Sequence, residues 1–246
     1  NRPVLIDGAI DDWKALHMWK DEAYLRRMVG NAKVSVNFSP DGLADAVKTQ
    51  TVTGTGESEE EAEELFVKPL KQAMTMASFL DALQHDPSAK EGVPYLSEQN
   101  DSLRTEFKAL LDDVTPLQLA NEAFGGAPEA MNIWMGDSRS ISSCHADFYE
   151  NIYCVITGSK TFTLLPPTDV AFLHERGYRP ATYFEAGRSH TGARLFGIMR
   201  DCDKGKNKNK DKGEDPDPDP AYDGEEGEGR EGGDEGAFEV DVDEDM

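Results

Sequence analysis

One histidine and one aspartate lie two residues apart in the middle of the chain, at His145 and Asp147. The apolar and polar residues around them alternate, which predicts a strand over residues 142–148. Residues two apart in a strand point to the same face, so the imidazole and the carboxylate should project together. Such a pair supplies two ligands of the 2-His-1-carboxylate site that holds Fe(II) for O2 chemistry. A hydrogen-bonded core histidine beside an aspartate would produce the same local pattern.

The pair belongs to a stretch, residues 132–167, in which short apolar runs follow one another closely. The alternation predicts four strands in this stretch, at residues 131–135, 142–148, 153–156 and 160–165. The Gly158-Ser159 dipeptide is typical of a tight hairpin between the last two. Short strands at this spacing favour an antiparallel barrel or jelly roll over a parallel sheet.

The residues before this stretch predict helices and strands that would pack outside it as an amino-terminal buttress. Asp21 and Gly30 are typical cap residues around a helix, and residues 33–38 alternate as a strand does. The acidic segment at residues 53–64 predicts a solvated loop. Further elements are a helix over residues 74–84 and helical turns within 102–114, with short strands at 2–10 and 95–100.

The charge of the chain is strongly acidic, with a formal net value of −23. Residues 201–246 hold 19 Asp and Glu against 6 Lys and Arg. An acidic surface repels phosphate, so nucleic acid is a poor partner and a basic protein a better one. No apolar run reaches the roughly 18 residues that span a bilayer, which predicts a protein outside the membrane. Three cysteines without metal-ligand spacing suggest a reducing compartment, so we expect cytoplasmic or nuclear localisation.

The composition divides the chain into three parts. Residues 1–200 have the apolar content of a folded domain. Residues 201–236 consist of Lys/Asn, Pro/Asp and Gly/Glu blocks with almost no apolar residue. Such a segment cannot offset its ordering entropy, so we predict a disordered acidic insert. Residues 237–246 return to strand-like alternation.

The run HADFYENIYCVITGSKTFTLLPP, residues 145–167, resembles the centre of a jumonji-C domain in the cupin-like branch of Fe(II)/2-oxoglutarate oxygenases. The resemblance continues in colinear order upstream, through RPVLIDGAIDDWKAL and YLSEQN, and downstream to RPATY. It implies an α+β fold built on a double-stranded β-helix, the jelly roll of that family. The resemblance is strongest to the small jumonji-C enzymes that hydroxylate a lysine in developmentally regulated GTP-binding proteins.

The resemblance assigns roles to six residues of this chain. His145 and Asp147 match the first two iron ligands of the family. A buried lysine needs an anionic partner, and the resemblance implies that this partner is the distal carboxylate of 2-oxoglutarate. The residues that the resemblance implies for binding this co-substrate are Lys160, Asn151, Tyr95 and Ser142.

The third ligand of the family, a later histidine in a Trp-x-His run, has no match in this sequence. The family pattern resumes only at GAFEVDVDEDM, with residues 184–236 as an apparent insertion. We therefore expect a truncated relative whose jelly roll is incomplete at the carboxy terminus. Two ligands hold Fe(II) more weakly than three.

The sequence supports two main hypotheses for function. The first is an Fe(II)- and 2-oxoglutarate-dependent hydroxylase acting on a lysine of a protein substrate, with GTP-binding proteins as candidates. The second is an inactive relative that binds basic partners through its acidic segment. A cupin-type binder of another metal would leave Lys160 and Asn151 without a purpose. The oligomeric state stays open.

Overall fold

The computed structural model describes residues 2–53, 60–84, 91–204 and the backbone of 237–243. These residues form a six-stranded sheet, a four-stranded sheet and a two-stranded ribbon. The strands are β1 (Lys33–Ser39), β2 (Leu43–Ala44), β3 (Ala46–Thr53), β4 (Glu60–Lys68), β5 (Leu70–Thr75), β6 (Val93–Leu96), β7 (Met131–Gly136), β8 (Ile141–Ser142), β9 (Asn151–Thr157), β10 (Arg179–Arg188), β11 (Arg194–Arg200) and β12 (Ala237–Asp243).

The helices are few and short, and most lie before β7. They are α1 (Ala15–Met18), α2 (Glu22–Val29), α3 (Met76–Leu83) and α4 (Gln118–Phe124), with 3-10 helices at Lys108–Asp113, Pro167–Phe172 and Asp201–Asp203. Asp21 caps α2, because its carboxylate accepts a hydrogen bond from the amide of Ala23, and the helix ends at Gly30 as predicted. None of the described helices is both long and apolar enough to cross a bilayer.

The six-stranded sheet has the order β5-β1-β6-β7-β12-β9. Its first four strands are antiparallel neighbours, in agreement with the predicted strand at residues 33–38. Strand β12 lies between β7 and β9 and runs parallel to both. Strands β7 and β9, which are close in sequence, are therefore held together by β12, which comes from a distant part of the chain.

The four-stranded sheet has the order β11-β10-β4-β3 and contradicts the loop predicted at residues 53–64. Residues 54–59 lie outside the described part, but Glu60–Lys68 forms β4 and pairs with β3 in antiparallel register. Two of the glutamates that led to the loop prediction meet arginines, since Glu63 pairs with Arg179 and Glu64 with Arg176. These cations lie more than 100 residues away in sequence.

The main core lies between the six-stranded sheet and the helices. Two tryptophans, Trp13 and Trp19, are each 1% exposed and pack with apolar residues of α2, α3 and β1. A buried carboxylate holds this region together, because Asp113 Oδ2 accepts hydrogen bonds from Trp19 Nε1 at 2.9 Å and the Tyr24 hydroxyl at 2.7 Å. The helices thus form the buttress that the sequence predicts.

A second, smaller core lies on the four-stranded sheet, around Leu65, Val67, Ala181 and Tyr183. Phe196 contacts both cores, so the two sheets share one packed interior. Two sheets in this arrangement agree with the predicted jelly roll.

Several predicted elements are wrong in position or type. Residues 2–10 form no strand, whereas the helical turns predicted within 102–114 are present as the 3-10 helix Lys108–Asp113. Of the predicted strand at 142–148 only Ser142 is paired, and 160–165 contains no strand at all. Apolar and polar residues alternate in both segments, but beyond Ser142 no described strand pairs with either of them. Alternation alone therefore does not produce a strand here. Most of the predicted acidic insert, residues 205–236, lies outside the described residues, whereas Ala237–Asp243 forms β12.

Candidate active site

His145 and Asp147 lie in an irregular segment that follows β8, not in the strand predicted there. Their side chains nevertheless face each other, with His145 Nε2 and Asp147 Oδ1 separated by 3.6 Å. The side chains are 51% and 43% exposed. The site therefore opens to solvent, as a site for an external substrate must.

The imidazole of His145 is oriented by a backbone carbonyl. Its Nδ1 atom lies 2.6 Å from the carbonyl oxygen of Ser143, and a carbonyl can only accept. Nδ1 therefore carries a hydrogen, and Nε2 faces the Asp147 carboxylate. With its hydrogen on Nδ1, the imidazole can present Nε2 as an electron-pair donor, so a cation between Nε2 and the carboxylate would be bound by both.

Ser143 also ties this segment to the neighbouring part of the fold. Its hydroxyl donates a hydrogen bond to the carbonyl oxygen of Asp45, at the junction of β2 and β3. Immediately before it, Ser142 pairs with Ala44 in the β2–β8 ribbon. These two contacts fix the backbone from which His145 and Asp147 project.

The His145–Asp147 pair fits two coordination positions of one metal ion. Two donor atoms that each lie about 2.1 Å from an ion are at most about 4.2 Å apart, and the observed 3.6 Å is within this limit. Across the described ranges, no group of three His, Cys, Asp or Glu side chains is placed to hold an ion. The third position is therefore not supplied by the described residues.

Lys160 forms the second feature of the site. It lies in the irregular segment that follows β9, and its Nζ atom donates a 2.9 Å hydrogen bond to the hydroxyl of Tyr95 on β6. The same nitrogen lies 5.3 Å from the ring centroid of Tyr95 and 5.8 Å from that of Trp134. The half-buried ammonium thus lies at the hydroxyl of Tyr95 and within cation–π distance of the Trp134 ring.

The surroundings of Lys160 fit a carboxylate ligand. Within the described part of the chain, no carboxylate oxygen lies within 4.0 Å of its Nζ atom, although a partly buried ammonium favours an anionic partner. Beside it, the indole nitrogen of Trp134 is buried and donates no hydrogen bond. A half-buried ammonium that keeps hydrogens to donate suits the carboxylate of a dicarboxylic acid.

Trp134 belongs to a row of aromatic rings that runs behind Lys160. Tyr95 and Trp134 meet edge to face with centroids 5.8 Å apart, and Trp134 meets Tyr153 at 6.4 Å in the same way. Phe162 continues the row at 4.8 Å from Tyr153. The row gives the ammonium a rigid, apolar support.

Asn151 and Ser142 occupy the ends of strands near this site. Asn151 is the exposed first residue of β9, and Ser142 is the exposed last residue of β8. Neither side chain forms a hydrogen bond with Lys160 or His145. Their contacts with a co-substrate therefore stay a prediction.

The sequence alone assigns no functional role to Trp134 or Ser143. The alternation of β7 does signal an inward-facing Trp134, but nothing in the sequence places its indole beside Lys160. The role of Ser143 depends on a carbonyl 98 residues away, which no local pattern reveals.

Comparison with known proteins agrees with this geometry. The cupin-like domain family matches residues 1–225 of the chain. The chain therefore belongs to the cupin-like proteins, and within them to the jumonji-C group, as its relatives show. The predicted jelly-roll fold is confirmed by this membership together with the two sheets.

Three relatives are similar over about three quarters of the chain. JmjC domain-containing protein E of Dictyostelium discoideum is 39% identical over 194 residues, covering 76% of this chain and 52% of the relative. The lysine-specific demethylase JMJ32 of Arabidopsis thaliana is 40% identical over 186 residues, covering 74% and 50%. The human bifunctional peptidase and (3S)-lysyl hydroxylase JMJD7 is 36% identical over 184 residues, covering 74% and 53%. The chain thus spans about half the length of these curated relatives.

Proposed function

We propose that this chain carries the Fe(II)- and 2-oxoglutarate-binding part of an oxygenase that hydroxylates a lysine side chain of a protein. The observation that carries the proposal is the position of Lys160, an ammonium held between Tyr95 and Trp134 without a carboxylate partner among the described residues. The paired His145 and Asp147 supply the metal-binding half of the same chemistry.

In this proposal, His145 Nε2 and an oxygen of Asp147 hold the iron. When bound, Fe(II) and 2-oxoglutarate together activate O2 to oxidise a C–H bond, and 2-oxoglutarate is released as succinate and CO2. The carbonyl of Ser143 keeps the imidazole in the tautomer that presents Nε2. Lys160 and Tyr95 orient the co-substrate through its far carboxylate, and the aromatic row excludes water from that end.

Two relatives support lysine as the substrate residue. One relative is described as a (3S)-lysyl hydroxylase and another as a lysine-specific demethylase, so both act on lysine. An acidic chain with a net charge of −23 attracts a lysine-bearing partner. A GTP-binding protein is a suitable first candidate for that partner.

The test measures 2-oxoglutarate binding and succinate formation by the 246-residue chain with added Fe(II). We expect binding that is lost in Lys160→Met, which keeps the length of the side chain but removes its charge. Lys108→Met, which removes an exposed lysine from the 3-10 helix, is the matched control. Calorimetry with Mn(II) in place of Fe(II) separates binding from turnover.

A chain that binds neither Mn(II) nor 2-oxoglutarate would contradict the proposal. The alternative, an acidic protein-binding module, is favoured by the incomplete set of metal ligands among the described residues. It predicts binding to basic proteins that is unchanged in His145→Ala and Lys160→Met. Co-substrate binding that depends on Lys160 excludes this alternative as the sole function.

A further inference from the structure

Gly136 is the last residue of β7 and lies directly opposite Tyr95 in the antiparallel pair of β6 and β7. Side chains of directly opposed residues project from the same face of a sheet. Since Gly136 has no side chain, the ring of Tyr95 lies over the backbone of β7 at this point. The glycine is therefore in contact with the phenol that binds Lys160.

A β-carbon has no room at position 136. It would lie 2.7 Å from the Cδ2 atom of the Tyr95 ring, 2.5 Å from the Oγ atom of Ser140 and 3.0 Å from the Cβ atom of Ser140. Carbon atoms pack at about 3.5–4.0 Å from each other, so the ring would have to move by roughly 1 Å to admit an alanine.

Lack of space, and not backbone conformation, is what requires glycine at this position. The φ angle of Gly136 lies outside the left-handed region, so an alanine could adopt the same backbone. The residue is also buried in a strand, where glycine is otherwise unfavourable because it packs no side chain. A glycine in such a place marks the close approach of another group, which here is the Tyr95 ring.

The Tyr95 ring is enclosed on its other sides as well. Tyr95 is only 4% exposed, and its ring meets the ring of Trp134 edge to face at a centroid distance of 5.8 Å. Trp134 and Gly136 are two residues apart on β7 and therefore share one face of the sheet. Because such interiors are close-packed, a displacement of the ring is transmitted to its neighbours.

The hydroxyl at the far end of the ring would carry this displacement to the co-substrate anchor. It accepts a 2.9 Å hydrogen bond from the Lys160 Nζ atom. The phenol is a rigid plane, so a shift of its edge moves the hydroxyl too. Hydrogen bonds from nitrogen to oxygen lie within about 2.7–3.2 Å, a range narrower than the shift.

Ser140 closes the space around Gly136 from the turn between β7 and β8. Its amide donates a 2.9 Å hydrogen bond to the carbonyl oxygen of Asp137, which fixes the turn. Its hydroxyl oxygen is buried. Side chains from two different segments, Tyr95 and Ser140, therefore occupy the space that a β-carbon of residue 136 would need.

We propose that Gly136 is a positioning residue for the co-substrate: its lack of a side chain lets the Tyr95 ring lie where its hydroxyl meets Lys160. The inference rests on the proposed function and adds a residue that affects 2-oxoglutarate binding without touching the co-substrate. Gly136 acts through the Tyr95 hydroxyl, so its effect should depend on that hydroxyl.

The test measures the affinity for 2-oxoglutarate by calorimetry with Mn(II), in the 246-residue chain and in three variants of it. The variants are Gly136→Ala, Tyr95→Phe and the two substitutions combined. Gly136→Ala should weaken binding by about tenfold, because misplacing a binding group by about 1 Å can cost up to about a hundredfold. Once Tyr95→Phe has removed the hydroxyl, Gly136→Ala should cost less than about threefold more.

Gly126→Ala is the matched control, because a β-carbon at this exposed glycine meets no atom within 4 Å. It should bind 2-oxoglutarate normally. A glycine with a merely structural role would give the same loss with and without the Tyr95 hydroxyl, and this result would overturn the inference. Unchanged binding by Gly136→Ala would overturn it too.

Ser140→Gly removes the second close contact and therefore isolates the contact with Tyr95. Gly136→Ala combined with Ser140→Gly should still bind 2-oxoglutarate weakly, because the β-carbon still meets the ring. Full recovery of binding would assign the effect to Ser140 and contradict the inference. This combination has more room than Gly136→Ala alone, so it provides the comparison if the single variant does not fold.

Binding by the unchanged protein separates this inference from the proposed function. A chain that does not bind 2-oxoglutarate contradicts the oxygenase and, with it, the role of Gly136. Normal binding by the unchanged protein and equally normal binding by Gly136→Ala contradict the inference alone.

Discussion

The ammonium nitrogen of Lys160 and the hydroxyl of Tyr95, 65 residues apart in sequence, are joined by a 2.9 Å hydrogen bond. Tyr95 is buried in the six-stranded sheet, whereas Lys160 lies in an irregular segment beyond β9. The buried Tyr95 thus holds the long, flexible side chain of Lys160 in place. This contact reduces the conformational entropy that Lys160 loses when a carboxylate binds.

Replacing Tyr95 by phenylalanine should weaken 2-oxoglutarate binding by about tenfold, because hydrogen bonds to charged groups contribute roughly 1.5–3 kcal/mol. The ring remains, so the contact with Trp134 and the fold should be kept. Calorimetric titration with 2-oxoglutarate and Mn(II) measures the change. Tyr178→Phe, which removes a hydroxyl bound to Arg176, is the control and should bind normally. A Tyr95→Phe protein with unchanged affinity would show that the hydroxyl is not part of the anchor.

Replacing His145 by alanine should reduce Mn(II) affinity by more than about tenfold, since it removes one of the two described ligands. Electron paramagnetic resonance of free Mn(II) gives the affinity without requiring turnover. His190→Ala removes an exposed histidine elsewhere and should leave the affinity unchanged. Equal losses in the two variants would contradict the assignment of His145 as a ligand.

Replacing Asp113 by alanine should lower the free energy of unfolding by about 2–4 kcal/mol, because two buried donors lose their acceptor. Those donors are Trp19 Nε1 and the Tyr24 hydroxyl. Urea unfolding followed by tryptophan fluorescence measures the effect. Asp112→Ala changes the exposed neighbouring residue and should stay within about 0.5 kcal/mol. A similar result for both variants would mean that the buried network contributes little.

Alkaline pH should destabilise the fold through three buried groups. Burial raises the pKa of Cys154 from 9.0 to about 12, and it raises the pKa of Tyr183 to about 12. Burial and then the hydrogen bond to Asp113 raise the pKa of Tyr24 to about 12. The unfolded chain therefore loses these protons first as pH rises, so each group lowers the free energy of unfolding by up to about 1.36 kcal/mol per pH unit.

Urea unfolding between pH 8 and pH 12 measures how the free energy of unfolding changes with pH and which group ionises first. Stability should be complete below pH 9, fall from pH 9 as the thiol of the unfolded chain ionises, and fall faster above pH 10 when tyrosines join. Cys154→Ala should delay the onset to about pH 10, whereas Cys144→Ala, at an exposed position, controls for loss of a thiol. Stability that rises with pH in this range would contradict the prediction.

Local signals in the sequence predicted the local parts of the fold. Asp21 and Gly30 bound a helix as expected, because a cap depends only on residues within one turn. The strands at residues 33–38 and 131–135 were also predicted correctly, since their alternation reflects one face packed on a core. Membership of the cupin-like family, predicted from the run around His145, is confirmed by comparison with known proteins.

Local sequence patterns could not predict contacts between residues that lie far apart in the chain. The acidic strand β4 is paired on both sides, with β3 and β10, and it buries Leu65 and Val67. Its Glu63 and Glu64 meet arginines more than 100 residues away, which no local pattern shows. The irregular backbone at His145 could not be predicted either, because its shape depends on a hydrogen bond to Asp45.

The position of β12 has a consequence for synthesis on the ribosome. Strands β7 and β9 leave the ribosome early, yet the strand that joins them comes roughly 80 residues after β9 ends. Until then, the facing edges of β7 and β9 expose unpaired amides and carbonyls, which are templates for wrong pairing with another chain. The nascent chain therefore passes through a vulnerable interval, in which a chaperone that covers open sheet edges would raise the yield of folded protein.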